Sequence, residues 1–228
     1  MVRPRLIEWK KVSDIFDEVD EELRAERAKK LLQRYAGLIV GAAVLLVAAV
    51  GAWKAMQWYQ ARETARVADA YLAAMREADG PGAPEHAAAL AGFAQVAGQG
   101  LPGYRTLARL RAAALKADTG DLPTALALWN DVAADNSADR LLRDLASLEW
   151  AQHQIDSGDP ALVAARLAPL ATPENPWHAL AEEAQAMLSL RQGKTAEARD
   201  TLKRLAQDVT ATEGVRRRAN GLLAELGG

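Results

Sequence analysis

Gly120-Asp121-Leu122-Pro123-Thr124-Ala125-Leu126-Ala127-Leu128-Trp129-Asn130-Asp131-Val132 is the segment from which the fold can be worked out. Its opening Gly-Asp ends one helical pattern and starts another. Ala125, Trp129 and Val132 then share one helical face. After Gly193-Lys194 the same offsets carry Ala198, Leu202 and Leu205. A third loop signature, Gly158-Asp159, stands 38 residues after the first and 35 before the last. Such self-similarity at a nearly fixed period marks stacked repeats.

Each loop is expected to join two helices. The first helices fall over roughly 104–119, 138–157 and 177–192, and the second over 122–135, 160–171 and 195–209. Small alanines at the shared offsets let neighbouring helices approach, and the large residue four positions on fills the gap between pairs. Ahead of the loops, Ala112 with Leu115 and Ala186 with Leu190 are expected to do the same. Residues 61–79 and 84–98 make an additional leading pair around Gly80-Pro81-Gly82, and 212–226 a terminal helix. Stacked repeats need polar ends, so Arg216-Arg217-Arg218 reads as a solvated capping face rather than an anion site.

Composition agrees with an all-α fold. Half the residues are apolar yet only 5% are aromatic, and Ala, Leu, Glu, Arg and Gln dominate. These are helix formers, with little for a sheet. The net charge of −2 and the lack of a basic face with interleaved aromatics give no reason to expect nucleic acid as a partner. Cysteine is absent, which removes disulfides, thiol catalysis and Cys-based metal sites.

Working outward to the N-terminus, Tyr35 to Trp53 holds no charged residue. A helix needs roughly 20 apolar residues to cross about 30 Å of hydrocarbon. Trp53, Trp58 and Tyr59 form an aromatic belt at one end and Tyr35 stands at the other. The segment before this stretch is too long and too acidic for a signal peptide, and Ala49-Val50-Gly51 is a poor cleavage site. The expected organisation is a cytoplasmic tail at 1–34, a transmembrane helix at 35–58 and a periplasmic repeat domain at 59–228. Arg27, Lys29, Lys30 and Arg34 precede the span, whereas Lys54 alone is the cation in the eight residues after it. That bias holds the N-terminus in the cytoplasm of a single-pass inner-membrane protein. Gly37 and Gly41 have the spacing of a helix-packing face in the bilayer.

Within the tail, Ser13 or Asp14 can cap a helix whose apolar stripe is Ile15, Phe16, Val19 and Leu23. Asp20 with Arg24 and Glu26 with Lys30 add i,i+4 pairs. Nothing nearby in the sequence covers the stripe, so it is either a docking face for a membrane or cytoplasmic partner or a solvated extension.

No catalytic motif emerges. His86, His153 and His178 have no metal-binding spacing. Glu149 and His153 at i,i+4 read as a surface pair, two ligands being too few for zinc. Glu182-Glu183 and Asp17-Glu18 read as solvated charge runs. No catalytic residue, cofactor, metal or small-molecule substrate is expected, and the protein is not expected to be an enzyme.

The helix–Gly-Asp/Lys–helix units, with Ala five residues after Gly and a bulky residue four further on, resemble tetratricopeptide repeats in degenerate form. The expected fold is a tetratricopeptide-like α-solenoid of about three to four helix pairs behind a single span. With that anchor the chain resembles the YfgM-type family of ancillary Sec-translocon subunits. Asp14-Ile15-Phe16-Asp17-Glu18-Val19-Asp20-Glu21-Glu22-Leu23-Arg24 is similar to the alphaproteobacterial form, as is the Trp-rich membrane exit. The resemblance implies a protein-binding scaffold near the translocon that hands clients to periplasmic chaperones. The alternatives are a structural or assembly subunit of another inner-membrane complex, and an envelope or cell-division coordinator. The charge bias makes a direct prediction: a reporter active only in the periplasm, fused after Gly228, should be active. Activity of a cytoplasm-only reporter at that position would reverse the orientation.

Overall fold

The computed structural model describes residues 12–227, and side chains from residue 26 onward except Arg27, Ala28 and Leu32. The Ile15, Phe16, Val19 and Leu23 side chains therefore lie outside the described residues, as do those of Asp17, Glu18, Asp20 and Arg24. The described residues are helix and turn, with no strand. Two compact units divide between Arg62 and Glu63.

The first unit consists of helix α1, Val12–Ala78, as far as Arg62. From Val12 onward the tail, and with it the span and the first repeat segment as far as Ala78, all read separately from the sequence, lie within α1. No proline falls between Val12 and Ala78 to remove a backbone donor. Within Gln33–Ala78 is a window of mean hydropathy 2.3, none of it buried, long and apolar enough to cross a membrane. Apolar side chains stand outward all round it, with Leu38 and Leu45 more than 70% exposed. A β-carbon added at Gly37 or Gly41 would meet nothing within 4 Å. The Glu26–Lys30 pair forms at 3.6 Å, and the Arg62 guanidinium lies 3.9 Å from the centre of the Trp58 ring.

The second unit continues through α2 (Ala83–Gln99), α3 (Pro102–Asp118), α4 (Leu122–Ala134), α5 (Arg140–Gln152), α6 (Pro160–Leu167), α7 (His178–Arg191), α8 (Thr195–Gln207) and α9 (Glu213–Glu225). From α2 onward each helix packs on the next, and α3, α5, α7 and α9 also pack on one another in turn. The first helices of successive pairs thus form one layer, with the second helices behind it. Starts are set by caps: the carboxylates of Asp121, Asp139 and Asp159 accept from Thr124, Leu141 and Ala161 backbone N–H groups, and Pro160 opens α6.

The loop glycines divide into two kinds. Gly120 and Gly193 have φ of +86° and +75°, where a side chain strains the backbone. Their loops close with Asp121 N–H donating to Lys116 O and Lys194 N–H to Ser189 O, the Schellman pattern. Gly158 has no positive φ. There α5 ends at Gln152, short of the expected 157, and Arg191 donates to Ile155 O and Gly158 O, holding the following residues in a turn. Gly158 is instead required by close approach, since a β-carbon would lie 2.9 Å from the Gln154 carbonyl. α6 stops at Leu167 rather than 171, because Pro169 cannot continue the ladder.

The repeat register holds throughout. Ala125, Trp129 and Val132 are buried, as are Ala198, Leu202 and Leu205. The middle unit has Val163, Leu167 and Leu170 at the same three offsets, also buried. On the first helices Leu115 and Ala186 are buried and Ala112 and Leu190 pack half-buried against the same clusters, while Ala113 and Leu188 are the buried residues at matching offsets. Ala198→Leu should destabilise the repeat domain by about 1–3 kcal/mol through overpacking. Gly193→Ala should cost about 1–2 kcal/mol through the left-handed backbone. Denaturation followed by circular dichroism checks both, and wild-type stability in both variants would refute the register.

Candidate protein-binding groove

The layer of first helices opens into a groove of about 740 Å³ between α5, α7 and α9. Helical spacing aligns its walls. Leu145, Leu148, Gln152 and Glu149 come from α5; Leu180, Glu183 and Met187 from α7; Arg218, Leu222 and Glu225 from α9; and Ile155 from the turn beyond α5. Trp177 stands at one end. The loop before α7 fixes it: its indole Nε1 donates to Leu141 O at 3.0 Å, and its backbone N–H donates to Asn175 Oδ1 at 2.9 Å. Buried Asn175 in turn donates to Asp144 Oδ2 on α5.

The feature that sequence reading missed is Glu183. Counting back from each loop glycine, it occupies the position held by Leu110 and Leu148 in the preceding repeats. Rather than belonging to a solvated run it is 5% exposed, and the carboxylate accepts from Arg218 Nε and Nη2, both at 2.6 Å. The bonds to Glu183 raise the Arg218 pKa further above its ordinary value. A bidentate pair of this kind is stronger than a single exposed ion pair. The Arg216–Arg218 triplet is accordingly only partly a solvated face. Arg217 pairs outward with Glu213 at 2.6 Å, while Arg216 folds back on the carbonyls of Asp208 and Ala211. The signal was present in the sequence, as a carboxylate breaking an otherwise leucine position, but only a three-way alignment of the repeats exposes it.

Glu149 and His153 do not form the expected side-chain pair. The His153 ring sits 4.5 Å from Trp129 and its Nδ1 lies 2.9 Å from the Glu149 backbone carbonyl. Burial pushes the Glu149 carboxyl up, His153 draws it down, and Asp118 adds to the rise. His178 ties α7 to the loop before α9, with Nδ1 3.0 Å from Asn175 O and Nε2 3.6 Å from the Asp208 carboxylate. His86 lies near the start of α2, its backbone N–H donating to Gly82 O. The three histidines are therefore not brought together, and no group of three or more candidate metal ligands occurs among the described residues.

A family model of the tetratricopeptide repeat-like domain matches residues 29–223. The chain belongs to this family. No curated protein and no solved structure gives a significant match. Domains of this type are typically non-catalytic and bind proteins, and stacked helix pairs present the concave surface that such binding uses. In this tetratricopeptide repeat-like protein the α5–α7–α9 groove lies on the layer of first helices.

The buried pair can be tested by a double-mutant cycle. Arg218→Met should destabilise the domain by about 1–3 kcal/mol, less than for a fully buried pair because Arg218 is itself half-exposed. Adding Glu183→Leu, the residue of the other repeats, should recover most of that loss. Strictly additive losses in thermal denaturation would show that the two side chains are not coupled.

Proposed function

We propose that this protein is an inner-membrane-anchored interaction scaffold ancillary to the Sec translocon, whose repeat domain faces the periplasm and passes clients towards chaperones. The observation that carries the scaffold reading is the apolar α5–α7–α9 groove in a tetratricopeptide repeat-like domain, on a chain with an exposed apolar helix of membrane-spanning length. The periplasmic orientation is supported by the cations before Tyr35. The translocon assignment is supported by the likeness of residues 14–24 to ancillary translocon subunits. In this reading 1–34 is the cytoplasmic tail, 35–58 the span and 59–228 the periplasmic domain. The bilayer surrounds the span, and the open face at Gly37 and Gly41 lets another membrane helix approach its backbone closely. Ile15, Phe16, Val19 and Leu23 form the cytoplasmic docking stripe.

A quantitative pull-down of the full-length protein from its own membranes, in mild detergent, tests this. Translocon components and secreted clients should be enriched with the wild type. Phe16→Asp with Val19→Asp should insert normally, since Arg27, Lys29, Lys30 and Arg34 are untouched, yet lose its membrane partner. Identical partner lists would refute the docking stripe. A stoichiometric complex without translocon components would replace the translocon assignment with a structural subunit of another assembly.

A further inference from the structure

We infer that the α5–α7–α9 groove selects an apolar polypeptide segment bearing a lysine or arginine, whose cation docks on Glu149. This rests on the groove being a protein-binding surface, as proposed above, and adds the chemistry it reads.

Charge complementarity identifies the occupant. The walls are largely apolar, with four leucines, Ile155 and Met187, so an occupant must bring apolar side chains. Arg218 is the one cation among the lining residues, and its bidentate bonds to Glu183 leave it poorly placed to clamp a ligand carboxylate. Glu149 and Glu225 remain without a compensating cation in the groove. Glu225 is exposed and water satisfies it, whereas Glu149 is half-buried. No described side chain donates a hydrogen bond to its carboxylate; His153, one turn on, bonds the Glu149 backbone carbonyl instead and draws the carboxyl down only through space, while Asp118 adds like charge nearby. A carboxylate taken partly out of water without a donor is destabilised, and an ammonium or guanidinium arriving with the ligand supplies what is missing. An acidic segment would meet repulsion at the same place. Burial raises the Glu149 carboxyl, and an arriving cation would favour its charged form.

The test uses the full-length chain in phosphatidylcholine nanodiscs, whose zwitterionic lipid carries no net charge, with empty nanodiscs as the blank. Three fluorescein-labelled peptides share the sequence Ser-Leu-Ala-Leu-X-Leu-Ala-Leu-Ser, with X as Lys, Gln or Glu. Fluorescence anisotropy should give a Kd for the Lys peptide roughly tenfold below that for Gln, and weakest binding for Glu. Glu149→Gln should abolish the Lys–Gln difference while leaving the Gln peptide's affinity unchanged. Met187→Trp, at a 41% exposed position that tolerates the larger ring, should weaken all three by narrowing the groove. Equal affinity for Lys and Gln, or a difference that survives Glu149→Gln, overturns the charge selection and leaves the groove reading standing. No binding above the blank, or binding indifferent to Met187→Trp, overturns the groove reading itself and this inference with it.

Discussion

The repeat domain depends on how closely its helices approach. Where two helices meet at Ala108, Ala125, Ala146, Ala181, Ala198 and Ala219, the side chain is a methyl group with no accessible surface. Short interaxial distances follow from small residues at the contact, and the bulk between pairs comes from Trp129, Leu167 and Leu202. The two classes are inseparable. A larger residue at an alanine position would push the helices apart, and the large side chains would then lose contacts on which their burial depends. A chain only 5% aromatic builds a dense core this way, because backbone proximity replaces side-chain volume.

Against that regular background Glu183 is the exception, and it shapes the groove. Substituting a carboxylate for the leucine of the other repeats removes apolar surface from the middle of α7 and calls for a cation, which Arg218 supplies from α9. Well-packed leucine at such a place is often as stable as a buried ion pair. Stability alone therefore does not explain the substitution, and local rules are commonly broken where a protein acts. The pair links α7 to the last helix and occupies Arg218. The charge of the groove is then set by Glu149 and Glu225.

Much of this was legible in the sequence for a simple reason: Gly, Asp and Pro act locally. Gly120 and Gly193 need a left-handed backbone, and Asp121, Asp139 and Asp159 each cap the helix that begins beside them, so boundaries there could be placed to within about two residues. The errors arose where tertiary contacts decide. The turn at 153–158 is held by Arg191, which donates to Ile155 O and Gly158 O from another helix. Periodicity within α5 carries no trace of that. Ala112 and Ala113 are adjacent and chemically identical, so only packing chooses between them. Glu183 looked solvated because its neighbour Glu182 is also acidic, while its partner lies 35 residues away.

Under the proposed scaffold role, the size of the groove bears on how tightly a client would be held. About 740 Å³ accommodates a handful of side chains. Burying each contributes roughly 1.5–3 kcal/mol at best, against an association cost of about 4–15 kcal/mol before the ligand is ordered. The two terms are of similar size, and the proposed hand-over of a client would call for such a near balance. In the proposed function, a membrane anchor would offset weak affinity without adding a contact, because confinement to a membrane surface raises the effective concentration of a client found there. On that reading an apolar helix of spanning length and a charged groove on one chain would be complementary: the first would supply encounter, and the second discrimination without slow release.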